Sequence, residues 1–139
     1  MSLVLDCSTT LAWVYDDETT PPIRAVFEAI GIGGAWVPAL WRLEVANVLE
    51  MGVRRNRHDA AFRDATLADL ALLPIRLDPE TDQHAWTATA RLAARYGLTL
   101  YDAAYLELAR RRDVPLATLD HELRAAALAE GVPLLGMDA

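Results

Sequence analysis

The stretch PLATLDHELRAAALAEGVPLLG, Pro115–Gly136, holds an apolar run, an acid, a helical segment and a second apolar run. Its pattern predicts a strand at Pro115–Thr118, an amphipathic helix at His121–Glu130 and another strand at Val132–Gly136. Two strands separated by a helix cannot form a hairpin; they lie parallel and are joined by a crossover. The same alternation extends back through the chain. Apolar runs at Leu3–Asp6 (LVLD), Ala35–Pro38 (AWVP) and Pro74–Leu77 (PIRL) supply three more strands. Helical periodicity falls between them, at roughly Thr9–Tyr15, Pro22–Ile30, Leu40–Arg55, Asp59–Leu72, Asp82–Tyr96 and Leu100–Arg112. The expectation is a single α/β domain over 1–139, with a five-stranded parallel sheet and helices on both faces.

Composition narrows the function. At 139 residues and 53% hydrophobic, the chain can bury one substantial core and is not a disordered segment. No apolar run reaches the roughly 20 residues of a membrane span. The N-terminus MSLVLDCSTT lacks a basic segment and meets an acid at Asp6, unlike a secretory signal. The single cysteine, Cys7, excludes an internal disulfide and suits a reducing compartment, so a cytoplasmic location is expected. The glycine-rich GIGG at Gly31–Gly34 has no lysine and is a helix stop rather than a phosphate loop. A net charge of −7 argues against nucleic acid, although all 13 basic residues are arginine and several cluster, at Arg54, Arg55, Arg57 and Arg110–Arg112. Those clusters are most simply solvated helix ends.

In parallel α/β sheets, ligands bind beyond the carboxyl ends of the strands. Four acids are placed for that edge. Asp6 ends the first strand, Glu44 lies early in the helix after the second, Asp102 is in the first turn of its helix, and Asp120 follows the fourth strand. Three of them have ordinary explanations. Asp102 would close a capping box with Thr99, Asp120 would cap HELRAAALA, and Asp6 would be a turn acid. Glu44 is harder to dismiss, because it sits among Leu40, Leu43, Val45 and Val48 with no lysine to pair it. Two carboxylates about 4 Å apart repel by roughly 4 kcal/mol at an effective dielectric near 20. A helix N-terminus offsets only about 0.3–1 kcal/mol of that. A divalent cation is the natural remedy. All-oxygen ligation points to Mg²⁺ or Mn²⁺, while His58, His84, His121 and Cys7 lack zinc-ligand spacing.

These residues match a known family. VLDCST, VPALWRLEVANVL, LTLYDAAYLELA and PLATLDHELRAAA, in that order, resemble the PIN-domain ribonucleases, and among them the VapC toxins of bacterial toxin–antitoxin pairs. The resemblance implies a three-layer PIN-like fold with Asp6, Glu44, Asp102 and Asp120 as catalytic acids. It carries Ser8 and Thr118 over as supporting hydroxyls and Asn47 as a polar position one turn beyond Glu44. The implied reaction is hydrolysis of RNA phosphodiester bonds, with Mg²⁺ (or Mn²⁺) held by Asp6, Asp102 and Asp120 and Glu44 orienting a water. It also implies a homodimer and a cognate antitoxin partner. Two alternatives share the fold: a stand-alone RNA-processing nuclease, and a non-enzymatic binding module. A haloacid-dehalogenase-like phosphatase needs a second Asp where Ser8 stands and normally a lysine. A phosphoacceptor receiver domain fails for the same missing lysine. Trp41, one turn before Glu44, could stack a base, but core packing is the commoner fate of a Trp on an apolar face.

Overall fold

The computed structural model describes residues 1–138. Its five strands are β1 (Leu3–Leu5), β2 (Ala35–Val37), β3 (Ile75–Leu77), β4 (Leu116–Ala117) and β5 (Leu134–Leu135). All pair in parallel, in the order β3-β2-β1-β4-β5. Each strand is shorter than its apolar run, because hydrogen-bonded pairing stops where the chain bends into the next turn. Connections to a parallel neighbour are right-handed. The first three strands therefore step one way across the sheet with their helices on one face. The last two step the other way, with theirs on the opposite face.

On the first face lie α1 (Cys7–Val14), α2 (Pro21–Gly33), α3 (Trp41–Arg54) and α4 (Ala60–Ala71). On the second lie α5 (Thr81–His84), α6 (Ala90–Tyr96), α7 (Leu100–Arg112) and α8 (His121–Ala129). The predicted helix at 82–96 is interrupted: a π-helical turn, Ala85–Thr89, separates α5 from α6. The acidic run Asp16–Glu18 forms a short 3₁₀ turn. The helix starts carry their signatures. Thr20 accepts from the Ile23 amide ahead of Pro21, and Thr99 accepts from the Asp102 amide at 3.1 Å. Gly97, at φ 65°, lets α6 stop in the left-handed conformation that turns the chain into α7.

β1 is central and buried throughout, with Leu3, Val4 and Leu5 packed on Leu116, Ala117 and Val37. α7 crosses β1, β2 and β4 and buries Ala103–Ala109, including Tyr105 and Leu108 at 0% exposure. The strand order reverses between β1 and β4, the place where a doubly wound sheet opens a crevice at its carboxyl edge.

Candidate active site

The register of the central strands sets the site. Leu5 pairs with Ala117, and the Asp6 amide donates to the Ala117 carbonyl at 3.0 Å. Asp6 therefore emerges beside Thr118, at the reversal point. The residue is only 5% exposed. Oδ1 accepts from the Cys7 amide at 2.7 Å, capping α1. Oδ2 accepts from the hydroxyls of Ser8, at 2.8 Å, and Thr118, at 2.6 Å. Each hydroxyl is held in turn: Ser8 Oγ accepts from the Leu119 amide, and Thr118 Oγ1 from the Asp120 amide. The loops after β1 and β4 are thus joined through one buried carboxylate. Burial pushes the Asp6 carboxyl upward, the donors from Thr118, Ser8 and Cys7 oppose it, and the charge of Asp120 adds to the rise.

The other acids arrive from three more elements. Asp102, half-buried in the first turn of α7, has its pKa raised by burial and then by Asp6 and Asp120. Asp120 caps α8 through Oδ1 to the Leu123 amide at 3.0 Å. Glu44, half-buried on α3, is raised by burial, then by Asp6 and Asp102, while a hydrogen bond from Tyr105 opposes the shift. Asp6 and Asp102 thus each feel the charge of Asp120, Glu44 feels those of Asp6 and Asp102, and among the described residues no guanidinium or imidazole bonds any of the four. They do not yet form a cage: among the described residues, no three His, Cys, Asp or Glu side chains close on one point. By donor type the set suits an oxygen-seeking dication, since every candidate ligand is a carboxylate.

α3 is set by Trp41, whose indole Nε1 donates to Thr10 Oγ1 at 3.0 Å, and Thr10 donates to the Asp6 carbonyl at 3.1 Å. At 5% exposure Trp41 belongs to the core and offers no face to a base. Asn47 is exposed on α3 and makes no side-chain hydrogen bond among the described residues, so nothing ties it to the acids. Tyr105, which no spacing argument had singled out, donates to Glu44 Oε1 at 2.5 Å. Its signal was present in YDAAYLELA, three residues after Asp102, where helical periodicity returns it to the same face.

The arginine clusters are only in part solvated helix ends, since several of their side chains are paired. Arg111 is bound to Asp78 at 2.6 Å and to Glu107 at 2.8 Å, and Arg112 joins Asp78 at 3.1 Å while lying 3.5 Å over the Trp36 ring. Arg110 pairs with Glu130 at 2.9 Å. Arg57 bonds Glu18 at 2.8 Å and sits 3.6 Å over the Tyr15 ring. Arg54 and Arg55 are the exceptions: both are exposed, Arg54 reaches Glu50 only at 3.7 Å, and Arg55 has no ion pair among the described residues. None of these side chains bonds the four acids.

The PIN domain family matches this chain over residues 3–129. No curated protein matches the sequence. Among solved structures, PAE2754 from Pyrobaculum aerophilum is similar at 25% identity and a TM-score of 0.69, over 96% of this chain and 83% of its own. VapBC2 from Rickettsia felis, solved bound to a DNA fragment from its promoter, is 11% identical with a TM-score of 0.64, over 96% and 97%. VapC20 from Mycobacterium tuberculosis, a toxin that cleaves the sarcin–ricin loop, is 17% identical with a TM-score of 0.60, over 89% and 94%.

Proposed function

The chain belongs to the PIN-domain family, a family of nucleases, and from that premise we propose that it is a Mg²⁺-dependent endoribonuclease acting as the toxin of a type II toxin–antitoxin pair. The observation that carries this reading is the electrostatic one. Burial, and then the charges of neighbouring carboxylates, raise the pKa of Asp6, Glu44 and Asp102, and no cationic side chain among the described residues bonds any of them. The donor type of these acids suits Mg²⁺ or Mn²⁺, and Asp6, Asp102 and Asp120, which do not meet at one point in the metal-free protein, would close on the ion as it binds. When bound, a divalent ion neutralises phosphate charge and makes water a better nucleophile near neutral pH.

The residues of the chain then divide the work. Ser8 and Thr118 fix the plane of the Asp6 carboxylate, and the Cys7 amide holds its second oxygen. The α7 and α8 N-termini carry Asp102 and Asp120, where the helix dipoles soften the repulsion between them. Glu44 has Oε1 engaged by Tyr105, and Oε2 is left to orient the attacking water and accept its proton. Asn47 is exposed one turn beyond Glu44, which supports a contact with substrate rather than with the acids.

The structural likeness to VapBC2 and VapC20 supports a toxin with an antitoxin partner. A homodimer is supported by exposed apolar side chains close to the site: Leu43, Leu100 and Tyr101 line one groove, and Trp86, 91% exposed, follows Ala85 at its wall. No helix of the described residues is long and apolar enough to cross a membrane, and a cytoplasmic ribonuclease is the proposal. Incubation of total RNA with the protein tests it. We expect cleavage with Mg²⁺, none with EDTA and none for Asp102→Asn. A wild-type protein that binds its partner and cuts no RNA under any divalent ion would instead establish the binding-module reading.

A further inference from the structure

Tyr105 is buried completely, yet it brings a hydroxyl into the core. Such a group needs a partner. The one it has is Glu44 Oε1, 2.5 Å away on another helix, and among the described residues no other side chain donates to Glu44. A phenylalanine would fill the same space without requiring any partner. The hydroxyl also has a chemical property that the pocket needs. A guanidinium or ammonium could anchor Glu44 equally well, but its positive charge would cancel the attraction for a divalent cation. A neutral phenol fixes the carboxylate and leaves the negative charge in place. Its own proton is secure, because burial and the charges of Asp6 and Glu44 push the phenol well above its ordinary range. Position reinforces the point: Tyr105 lies three residues after Asp102 on α7, so one helix face delivers a candidate ligand and the anchor of the acid opposite.

We propose that Tyr105 is a positioning residue that pins Glu44 Oε1 by a neutral hydrogen bond, orienting that carboxylate for the hydrolytic step without bringing a positive charge into the pocket. This inference rests on the nuclease reading above. The test is Tyr105→Phe, which deletes one oxygen and keeps the ring, alone and in a Glu44→Gln background.

Expected is a 10–100-fold fall in kcat, the range seen when a supporting hydrogen bond is removed from a metal site. KM for RNA should stay within about twofold, as for an interaction that acts on the chemical step. In Glu44→Gln the same change should cost less than about twofold, since the partner it serves is already altered. A readout independent of turnover is the carboxyl ¹³C resonance of Glu44 in the metal-free protein, which should move in Tyr105→Phe while those of Asp6 and Asp120 stay in place. An unchanged kcat, or a loss of equal size with and without Glu44, overturns the proposal. If wild-type protein cleaves no RNA, the nuclease reading fails separately. The anchoring is then judged by the resonance alone, and an unmoved Glu44 signal refutes it.

Discussion

Thr99 illustrates how a single residue serves both fold and site. Its hydroxyl accepts from the Asp102 amide, so the cap of α7 also sets where the Asp102 carboxylate begins. Thr99→Ala should cost about 1 kcal/mol, measured by urea denaturation, through the loss of that cap. Asp6 does more. It ends β1, caps α1 and gathers Ser8 and Thr118 onto one oxygen. Its role as a turn acid and its proposed role in the pocket therefore share one geometry, and the sequence could not separate them. Trp41 was equally ambiguous from its neighbours, and its bond to Thr10 assigns it to the core.

Among the elements, α7 is the one on which most depends. Its N-terminus presents Asp102, its middle supplies Tyr105 to Glu44, and its C-terminus is bolted to the end of β3 through Arg111, Arg112 and Asp78. The Asp78 side chain is fully buried, and Arg111 is mostly so. Removing one partner of such a pair leaves the others buried without compensation. Asp78→Ala should therefore destabilise the fold by about 3 kcal/mol in chemical denaturation, typical of a broken buried pair. The charge runs gave no hint of this, because Asp78 lies more than thirty positions from either arginine and only folding brings them together.

For the molecule as a whole, the balance of charge makes stability depend on pH and on divalent ions. Asp6, Glu44 and Asp102 hold their protons more tightly in the folded protein, chiefly because they are buried and then because they repel one another. Between the ordinary carboxylate range and those raised values, the folded state binds more protons than the unfolded chain. Raising the pH through that window therefore weakens the fold. Asp78 behaves oppositely. Burial pushes it up, but Arg111 and Arg112 outweigh that and hold it at about 2, so its contribution is complete above its unfolded value of 3.8 and is lost as pH falls toward 2. Metal-free protein should accordingly show its highest melting temperature in mildly acid solution, between these two limits, and lose stability on either side. Scanning calorimetry across a pH series checks this, and Asp6→Asn should flatten the neutral limb. At neutral pH, Mg²⁺ or Mn²⁺ should raise the melting temperature of the wild type by relieving the same repulsion. The rise should be much smaller in Asp6→Asn, which should also abolish RNA cleavage. A thermal shift indifferent to both ions would remove the metal from the proposed mechanism.

The sequence alone determined the alternation of strands and helices, the parallel sheet, and the helix starts at Thr99 and Asp120. All of these follow from local periodicity, capping chemistry and the order of short motifs. It did not determine the π turn inside 82–96, the ties of Arg111 and Arg112 to Asp78, or the bond from Tyr105 to Glu44. The side-chain ties depend on which residues meet across sequence separations of 33 to 61, a matter of helix crossing and side-chain rotamer that no local pattern records. Tertiary structure also decided that Asp6 emerges where the strand order reverses between β1 and β4, and that among the described residues no guanidinium bonds Asp6, Glu44, Asp102 or Asp120.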